Sequence, residues 1–159
     1  MKHLFMVRHG SYDFDYNLSE RGKQEIQRIS EDMMRIIGEA SNGHYLLSST
    51  ASRAEQSAEI IARAFGLDSF EKRDRLWTRG GYDFYKEELE EIDSMIAPHR
   101  DGHDVVTVVA HYEVVGSYSS HVVRTLFGRD ERIRRPEKGG GVHLNLETQT
   151  HQMLPLARD

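Results

Sequence analysis

The stretch Val105–Ala110, with the sequence VVTVVA, constrains the fold more than any other feature of the chain. β-Branched residues favour strands, and a strand that is apolar without alternation is covered on both faces. Sheets covered on both faces are mostly parallel, and helices connect their strands. We therefore expect strands and helices to alternate along the chain, with ligands bound beyond the carboxyl ends of the strands.

The rest of the chain shows this alternation. A short apolar strand over 4–7 precedes an amphipathic helix that begins after Ser19 and ends near Gly38, because its apolar residues recur at three- and four-residue spacing. Further segments are predicted as strand 44–49, helix 52–66, short strand or extended edge 70–77, helix 83–96, helix 113–128 and terminal hairpin 139–157. We predict a single α/β domain over 1–159, a three-layer α/β/α sandwich with a largely parallel central sheet.

Composition excludes several classes of function. The 159 residues fit one domain and include no cysteine, which excludes disulfides and thiolate chemistry. A net charge of −5 argues against a module that coats nucleic acid. No apolar run approaches the roughly 20 residues that span a bilayer, and the first residues lack a signal-peptide pattern. We expect a cytoplasmic protein with neither nucleic acid nor membrane as a partner.

Polar residues collect at the ends of the predicted strands. They are Arg8, His9 and Gly10 after the first strand, Ser48 and Ser49 after the second, with Arg53 opening the next helix, and His111 after the third. Arginine forks bind phosphate oxygens in pairs, and a helix N-terminus also favours an anion. Neither a P-loop nor a GxGxxG run is present. These strand ends predict a pocket for a tetrahedral dianion.

Four segments resemble one protein family in its own order. MVRHGS, NLSERGKQE, LLSSTASRAEQSAEIIA and VVTVVAHYEVVGSY are similar to the signature segments of the histidine phosphatase superfamily, which includes the cofactor-dependent phosphoglycerate mutases. The matches extend from Met6 to about Tyr118. The resemblance implies a phosphoglycerate mutase-like fold and phosphoryl chemistry.

The resemblance also implies a role for each matching residue. His9 would attack phosphorus and form a phosphohistidine intermediate, which water then hydrolyses. Arg8 and Arg53 would bind the phosphoryl oxygens, and His111 would complete the pocket. The remaining substrate contacts are assigned to Gly10, Ser11 and Ser48. No metal and no cofactor are expected.

The sequence does not identify a single residue that would donate a proton to the leaving group. Where the family often carries an acidic residue after its Arg-His-Gly motif, this chain has Ser11. The central stretch RLWTRGGYDFYKEELEE offers three carboxylic acids, of which Asp83, after a Gly-Gly turn, is the first choice. Glu87, Glu88 or no acid at all are the alternatives.

Chain length bears on the substrate. One helix fits between residues 75 and 104, where relatives with small substrates often insert a lid. The chain therefore resembles the short phosphohistidine phosphatases most closely, and a protein phosphohistidine is the favoured substrate. The alternatives are a small phosphorylated metabolite such as a sugar phosphate, a phosphoglycerate mutase-type reaction, and a phosphate-binding protein without turnover.

Overall fold

The computed structural model describes residues 1–38, 42–77 and 86–158. Within them lie the strands β1 (His3–Arg8), β2 (His44–Ser48), β3 (Glu71–Lys72), β4 (Val105–Ala110), β5 (Gly141–Asn145) and β6 (Thr150–Leu154). The helices are α1 (Glu20–Ile37), α2 (Ser52–Ala64), α3 (Lys86–Ile96) and α4 (Tyr112–Thr125). Short 3₁₀ turns over Asp74–Leu76 and Ala97–His99 complete the elements. None of the helices in these ranges has both the length and the apolar character that a membrane crossing requires.

The strands form one sheet in the order β3-β2-β4-β1-β5-β6. The pairs β1–β4, β2–β4 and β2–β3 are parallel, whereas β5 and β6 form an antiparallel hairpin at one side. Arg8 pairs with Ala110, and Ser48 pairs with Val109, so three parallel strands end at nearly the same level. The residues that follow β1, β2 and β4 therefore meet at one edge of the sheet.

Helices cover both faces of the sheet. Apolar residues of α1 and α2 pack with Phe5, Val7 and Val109 on one face. Residues of α3 and α4 pack with Leu4, Met6 and Val108 on the other. All six residues of β4 are buried, as the unbroken apolar run requires. The predicted α/β/α sandwich with a mostly parallel sheet is confirmed.

Most element boundaries agree with the sequence patterns, and the differences have local causes. Ser19 caps α1 because its Oγ accepts the Gly22 N–H at 3.0 Å, and Gly38 ends that helix with a φ of 69°. The edge predicted over 70–77 is the two-residue β3 followed by a 3₁₀ turn. Of the helix predicted over 83–96, the part from Lys86 onward is described, and residues 83–85 lie outside the described ranges.

Candidate active site

His9 lies one residue beyond the end of β1, and its imidazole is held in one orientation. Its backbone N–H donates to the Ala110 carbonyl at 3.1 Å, and its carbonyl accepts the Gly139 N–H at 2.8 Å. The ring Nδ1 is 2.9 Å from the Gly10 carbonyl oxygen, which can only accept, so Nδ1 carries the proton. The other nitrogen, Nε2, keeps its lone pair and is 3.3 Å from Nε of Arg53, which donates to it.

The surroundings of His9 keep its ring neutral. The pKa of His9 is lowered to about 4, mainly by burial and in smaller part by the positive charges of Arg53, Arg8 and Lys138, against the opposing effect of the hydrogen bond to the Gly10 carbonyl. His9 is 4% exposed. A neutral imidazole at pH 7 has a free electron pair, which is what a nucleophile requires.

Helix α2 positions Arg53 and also fixes the loop after β1. The Ser57 Oγ accepts the Gly10 N–H at 3.1 Å and donates to the Arg53 carbonyl at 2.7 Å. One residue earlier, Gln56 Oε1 accepts the Leu18 N–H at 2.6 Å. Side chains of the RAEQSA segment, which also carries Arg53, therefore anchor the backbone of the loop that follows His9.

Arg8, the last residue of β1, presents its guanidinium to the same cavity. One terminal nitrogen donates to the Pro136 carbonyl at 3.0 Å, and the group lies 5.1 Å over the Tyr112 ring. Its Nε is buried and has no hydrogen-bond partner in the described part of the chain. A buried N–H without a partner, close to the neutral imidazole of His9, fits a site that receives an oxyanion.

His111 follows β4 and approaches His9 from the neighbouring strand. The two ring centroids are 5.0 Å apart, and His111 Nε2 is 2.9 Å from Ser49 Oγ. Burial, together with the smaller effects of the nearby His9, Arg53 and Arg8, lowers the pKa of His111 to about 3. His111 is therefore also neutral at pH 7.

Two aromatic side chains line the cavity beside these groups. Arg53 lies 4.7 Å over the Tyr12 ring and 5.8 Å over the Trp77 ring. Trp77 is stacked on His111 with 5.9 Å between centroids, and Tyr12 meets His9 edge-on at 5.5 Å. These rings hold the Arg53 guanidinium in position and give the cavity flat apolar walls.

Comparison with known proteins shows which solved structures share this fold. No family model and no curated protein sequence matches the chain. Among solved structures, a candidate phosphohistidine phosphatase SixA from Agrobacterium tumefaciens is 21% identical with a TM-score of 0.65, and the match covers 98% of each chain. The protein histidine phosphatase SixA in complex with tungstate is 20% identical with a TM-score of 0.64, over 95% of this chain and 93% of that chain.

A third similar structure acts on a different kind of molecule. A mycobacterial glucosyl-3-phosphoglycerate phosphatase is 15% identical with a TM-score of 0.61, over 96% of this chain and 97% of that chain. The chain has the histidine phosphatase fold. The resemblance seen in the sequence is thereby confirmed at the level of the fold.

The histidine phosphatase fold brings some of the predicted residues to the cavity and leaves others outside it. The cavity has a volume of about 150 Å³ and is lined by Arg8, His9, Tyr12, Arg53, Trp77, His111, Tyr112 and Glu113. Gly10, Ser11 and Ser48 do not line it. The Ser11 hydroxyl donates to Glu25 at 3.0 Å, and the buried Ser48 donates to the Ser49 carbonyl at 2.9 Å. Ser49 is the serine that contacts the site.

The sequence offers three carboxylic acids as proton donors for the leaving group: Asp83, Glu87 and Glu88. Asp83 lies outside the described residues, and its assignment stays a prediction. Glu87 and Glu88 lie on α3 and do not line the cavity. Among the described residues, the one carboxylate in the lining is Glu113, in the first turn of α4 and 4% exposed. The sequence offered a weak signal, since a glutamate in a first helical turn is common for reasons of helix electrostatics.

Protein metal sites are built from clusters of histidine, cysteine and carboxylate side chains. Within 1–38, 42–77 and 86–158, no three histidine, aspartate or glutamate side chains are arranged to hold a metal ion. The basic side chains that line the cavity belong to two neutral histidines and two arginines. This donor set suits an anion better than a cation.

Gly10 has a packing role in the histidine phosphatase fold. A Cβ at Gly10 would lie 2.6 Å from the Gly22 carbonyl oxygen, and one at Gly22 would lie 2.1 Å from the Ser11 carbonyl oxygen. We expect Gly22→Ala to lower the free energy of unfolding by about 2 kcal/mol in urea denaturation, because the loop that carries His9 must move away from α1. Gly102→Ala, where a Cβ meets nothing within 4 Å, is the control. Equal stability of the two variants would contradict this packing.

Buried histidines predict a pH dependence of stability. Burial lowers the pKa of His9, His44 and His143 to about 4 and that of His111 to about 3. Each is neutral when folded, while its unfolded form takes up a proton below about pH 6.5. We therefore expect the urea midpoint to be highest above pH 6.5 and to fall continuously toward pH 4. A midpoint that stays constant between pH 7 and pH 4.5 would contradict this expectation.

Proposed function

We propose that the protein is a phosphatase in which Nε2 of His9 takes the phosphoryl group from its substrate and passes it to water. The observation that carries this proposal is the orientation of one ring. The Gly10 carbonyl holds the proton on Nδ1, and the free pair on Nε2 points to the guanidinium of Arg53 at 3.3 Å. A neutral nucleophile beside a cationic fork is suited to attack on an anionic phosphorus centre.

The two steps follow from this geometry. In the first, Nε2 of His9 forms a bond to phosphorus while the bond from phosphorus to the leaving group breaks. In the second, water attacks phosphorus, the N–P bond breaks, and His9 returns as a neutral imidazole while inorganic phosphate keeps the protons of water. Arg8 and Arg53 stabilise the equatorial oxygens in both steps, and His111 faces them from β4.

A protein phosphohistidine is the substrate we favour. The ring nitrogen that does not hold phosphorus can carry a proton near neutral pH, as a histidine with a pKa near 6.5 does, so the group leaves as a neutral imidazole and the enzyme needs no strong acid. The small cavity of about 150 Å³, with the flat rings of Tyr12 and Trp77 beside it, suits one planar side chain that projects from a larger molecule. Two of the similar structures carry the name SixA, one of them as a protein histidine phosphatase.

A small phosphomonoester is the second candidate, and one observation favours it. An alkoxide leaving group needs a proton donor, and the carboxyl of Glu113 lies in the cavity lining. The similar glucosyl-3-phosphoglycerate phosphatase is named for a small substrate of this class.

A substrate panel tests the proposal and separates the two candidates. Protein treated with EDTA is assayed on para-nitrophenyl phosphate, a phosphohistidine peptide, a sugar phosphate and a phosphoglycerate. We expect hydrolysis without added metal and a kcat/KM on the phosphohistidine peptide at least tenfold above the others. A higher value on the sugar phosphate would select the second candidate, and conversion of one phosphoglycerate isomer to the other would identify a mutase. Absence of turnover on all four, together with tungstate binding, would identify a phosphate-binding protein.

The role of Glu113 is tested by leaving groups of different basicity. If Glu113 supplies the proton, Glu113→Gln loses about 100-fold in kcat on phenyl phosphate but much less on para-nitrophenyl phosphate and on a phosphohistidine peptide, whose leaving groups are weaker bases. We expect this pattern. Asp83→Asn is the matched comparison, because Asp83 is the acid that the sequence favours. An equal loss on all three substrates would contradict proton donation by Glu113 and indicate a positioning role beside Arg8.

A further inference from the structure

A second and larger concavity adjoins the catalytic cavity. It has a volume of about 700 Å³ and lies between α4 and the segment 130–135. Four arginines line it, and we call it the arginine groove: Arg124, Arg132, Arg134 and Arg135. The proposed phosphatase chemistry uses none of them.

The charge of the arginine groove is unbalanced. Two carboxylates, those of Asp130 and Glu131, also line it. The Glu131 carboxylate is already paired with His151 Nε2 at 2.8 Å and with Arg129 at 3.5 Å. No carboxylate of the described residues forms an ion pair with Arg124, Arg132 or Arg134, although the chain as a whole has a charge of −5. A concentration of cations on an acidic protein favours an anionic partner.

The groove lies next to the catalytic cavity. The Tyr112 ring has the Arg8 guanidinium at 5.1 Å and the Arg135 guanidinium also at 5.1 Å, so one residue of each site contacts the same ring. The segment is anchored to α4, because Ser120 Oγ accepts the Ile133 N–H at 2.8 Å. The stem of Arg135 packs against Gly116, where a Cβ would lie 2.6 Å from Arg135 Cγ. The groove therefore has a fixed position beside His9.

We propose that the arginine groove binds an acidic segment of the protein whose phosphorylated side chain enters the catalytic cavity. This inference rests on the proposed function, because it concerns the substrate of the same site. A protein fits better than a small bisphosphate because the groove has several times the volume of the cavity. Its cations also come from both α4 and the neighbouring segment, and Arg124, Arg132 and Arg134 are exposed.

Two synthetic peptides test the proposal. Each contains one phosphohistidine, flanked in the first by four glutamates and in the second by four glutamines. We expect wild type at 50 mM NaCl to have a kcat/KM about tenfold higher on the acidic peptide, and 300 mM NaCl to reduce this preference by screening. In Arg132→Gln/Arg134→Gln the preference should fall to less than twofold.

The matched control changes the same number of charges on the opposite face. Arg28→Gln/Arg63→Gln removes two arginines from α1 and α2, which cover the other side of the sheet, and should keep the tenfold preference. Binding is measured separately from turnover, as fluorescence anisotropy of a labelled glutamate-rich peptide without phosphate. The groove variant should raise its Kd at least fivefold, and the control variant should not.

The outcomes separate this inference from the proposed function. If wild type hydrolyses para-nitrophenyl phosphate but has no preference for the acidic peptide, the groove proposal is overturned and the phosphatase proposal stands. Equal losses in the groove and control variants would also overturn it, since net charge would then be the cause. If the groove variant instead loses a preference for a sugar bisphosphate over a monophosphate, the groove serves a small substrate. If no substrate is hydrolysed, the phosphatase proposal fails and anisotropy still decides the groove.

Discussion

His9→Gln is expected to lower kcat/KM on para-nitrophenyl phosphate by about 10⁴-fold or more, because loss of a covalent nucleophile removes the whole first step. The glutamine amide can still hydrogen-bond in the small cavity, but it has no basic nitrogen. Phosphate binding should persist, since Arg8 and Arg53 remain. Inhibition constants for tungstate are therefore expected to change far less than kcat.

A control histidine makes this result specific. His99→Gln changes a half-buried histidine that packs against Tyr45 and does not line the cavity, and this variant should keep wild-type kinetics. Thermal unfolding of both variants, followed by circular dichroism, shows whether each is folded. A folded His9→Gln protein with more than a tenth of the wild-type kcat/KM would contradict the nucleophile assignment.

Arg53 is expected to produce the second largest effect. Arg53→Ala removes an electrostatic donor from the site and should lower kcat by about 10³-fold, as loss of a preorganised donor does in other enzymes. Arg53→Lys keeps the charge but loses both the planar fork and the Nε–H that donates to His9 at 3.3 Å. We expect the lysine variant to recover about tenfold of the alanine loss at most.

The Arg53→Lys variant measures how much activity depends on the planar geometry of the guanidinium and not on its charge alone. Arg63→Lys, on the same helix but exposed and outside the cavity, is the matched control and should behave as wild type. A tungstate inhibition constant that rises in Arg53→Lys together with the fall in kcat would show that oxyanion binding is affected. Activity of Arg53→Lys within fivefold of wild type would contradict a bidentate role.

The positions of His9, His111 and Arg53 could be predicted because the order and direction of the strands determine them. An unbroken apolar strand implies a parallel sheet, and the register Arg8 to Ala110 brings His9 and His111 together one residue beyond the pairing. The position of Arg53 followed from the helix that begins soon after β2. Each of these residues follows a strand closely in the sequence and has an imidazole or guanidinium group, so both its place and its chemistry could be predicted.

The contacts that could not be predicted depend on the direction in which a side chain points and on residues that are distant in the sequence. Ser48 and Ser49 differ by one residue, and the side to which each hydroxyl points is decided by how β2 ends: Ser49 reaches His111 and Ser48 does not. Trp77 follows a 3₁₀ turn, and its stacking on His111 has no pattern in the sequence. Gly10 is predicted to contact the substrate, whereas a Cβ at that position would meet Gly22 of α1.

Trapping of the phosphoenzyme tests directly whether His9 is the nucleophile. Wild type is mixed with a ³²P-labelled phosphodonor, quenched in alkali within milliseconds, and mapped by mass spectrometry, with ³¹P NMR of the denatured adduct to identify the nitrogen. We predict an alkali-stable, acid-labile phosphoryl group on Nε2 of His9, because Nδ1 is hydrogen-bonded to the Gly10 carbonyl. A phosphoryl group on His111 or on Nδ1 of His9, or steady turnover with no adduct at all, would contradict it.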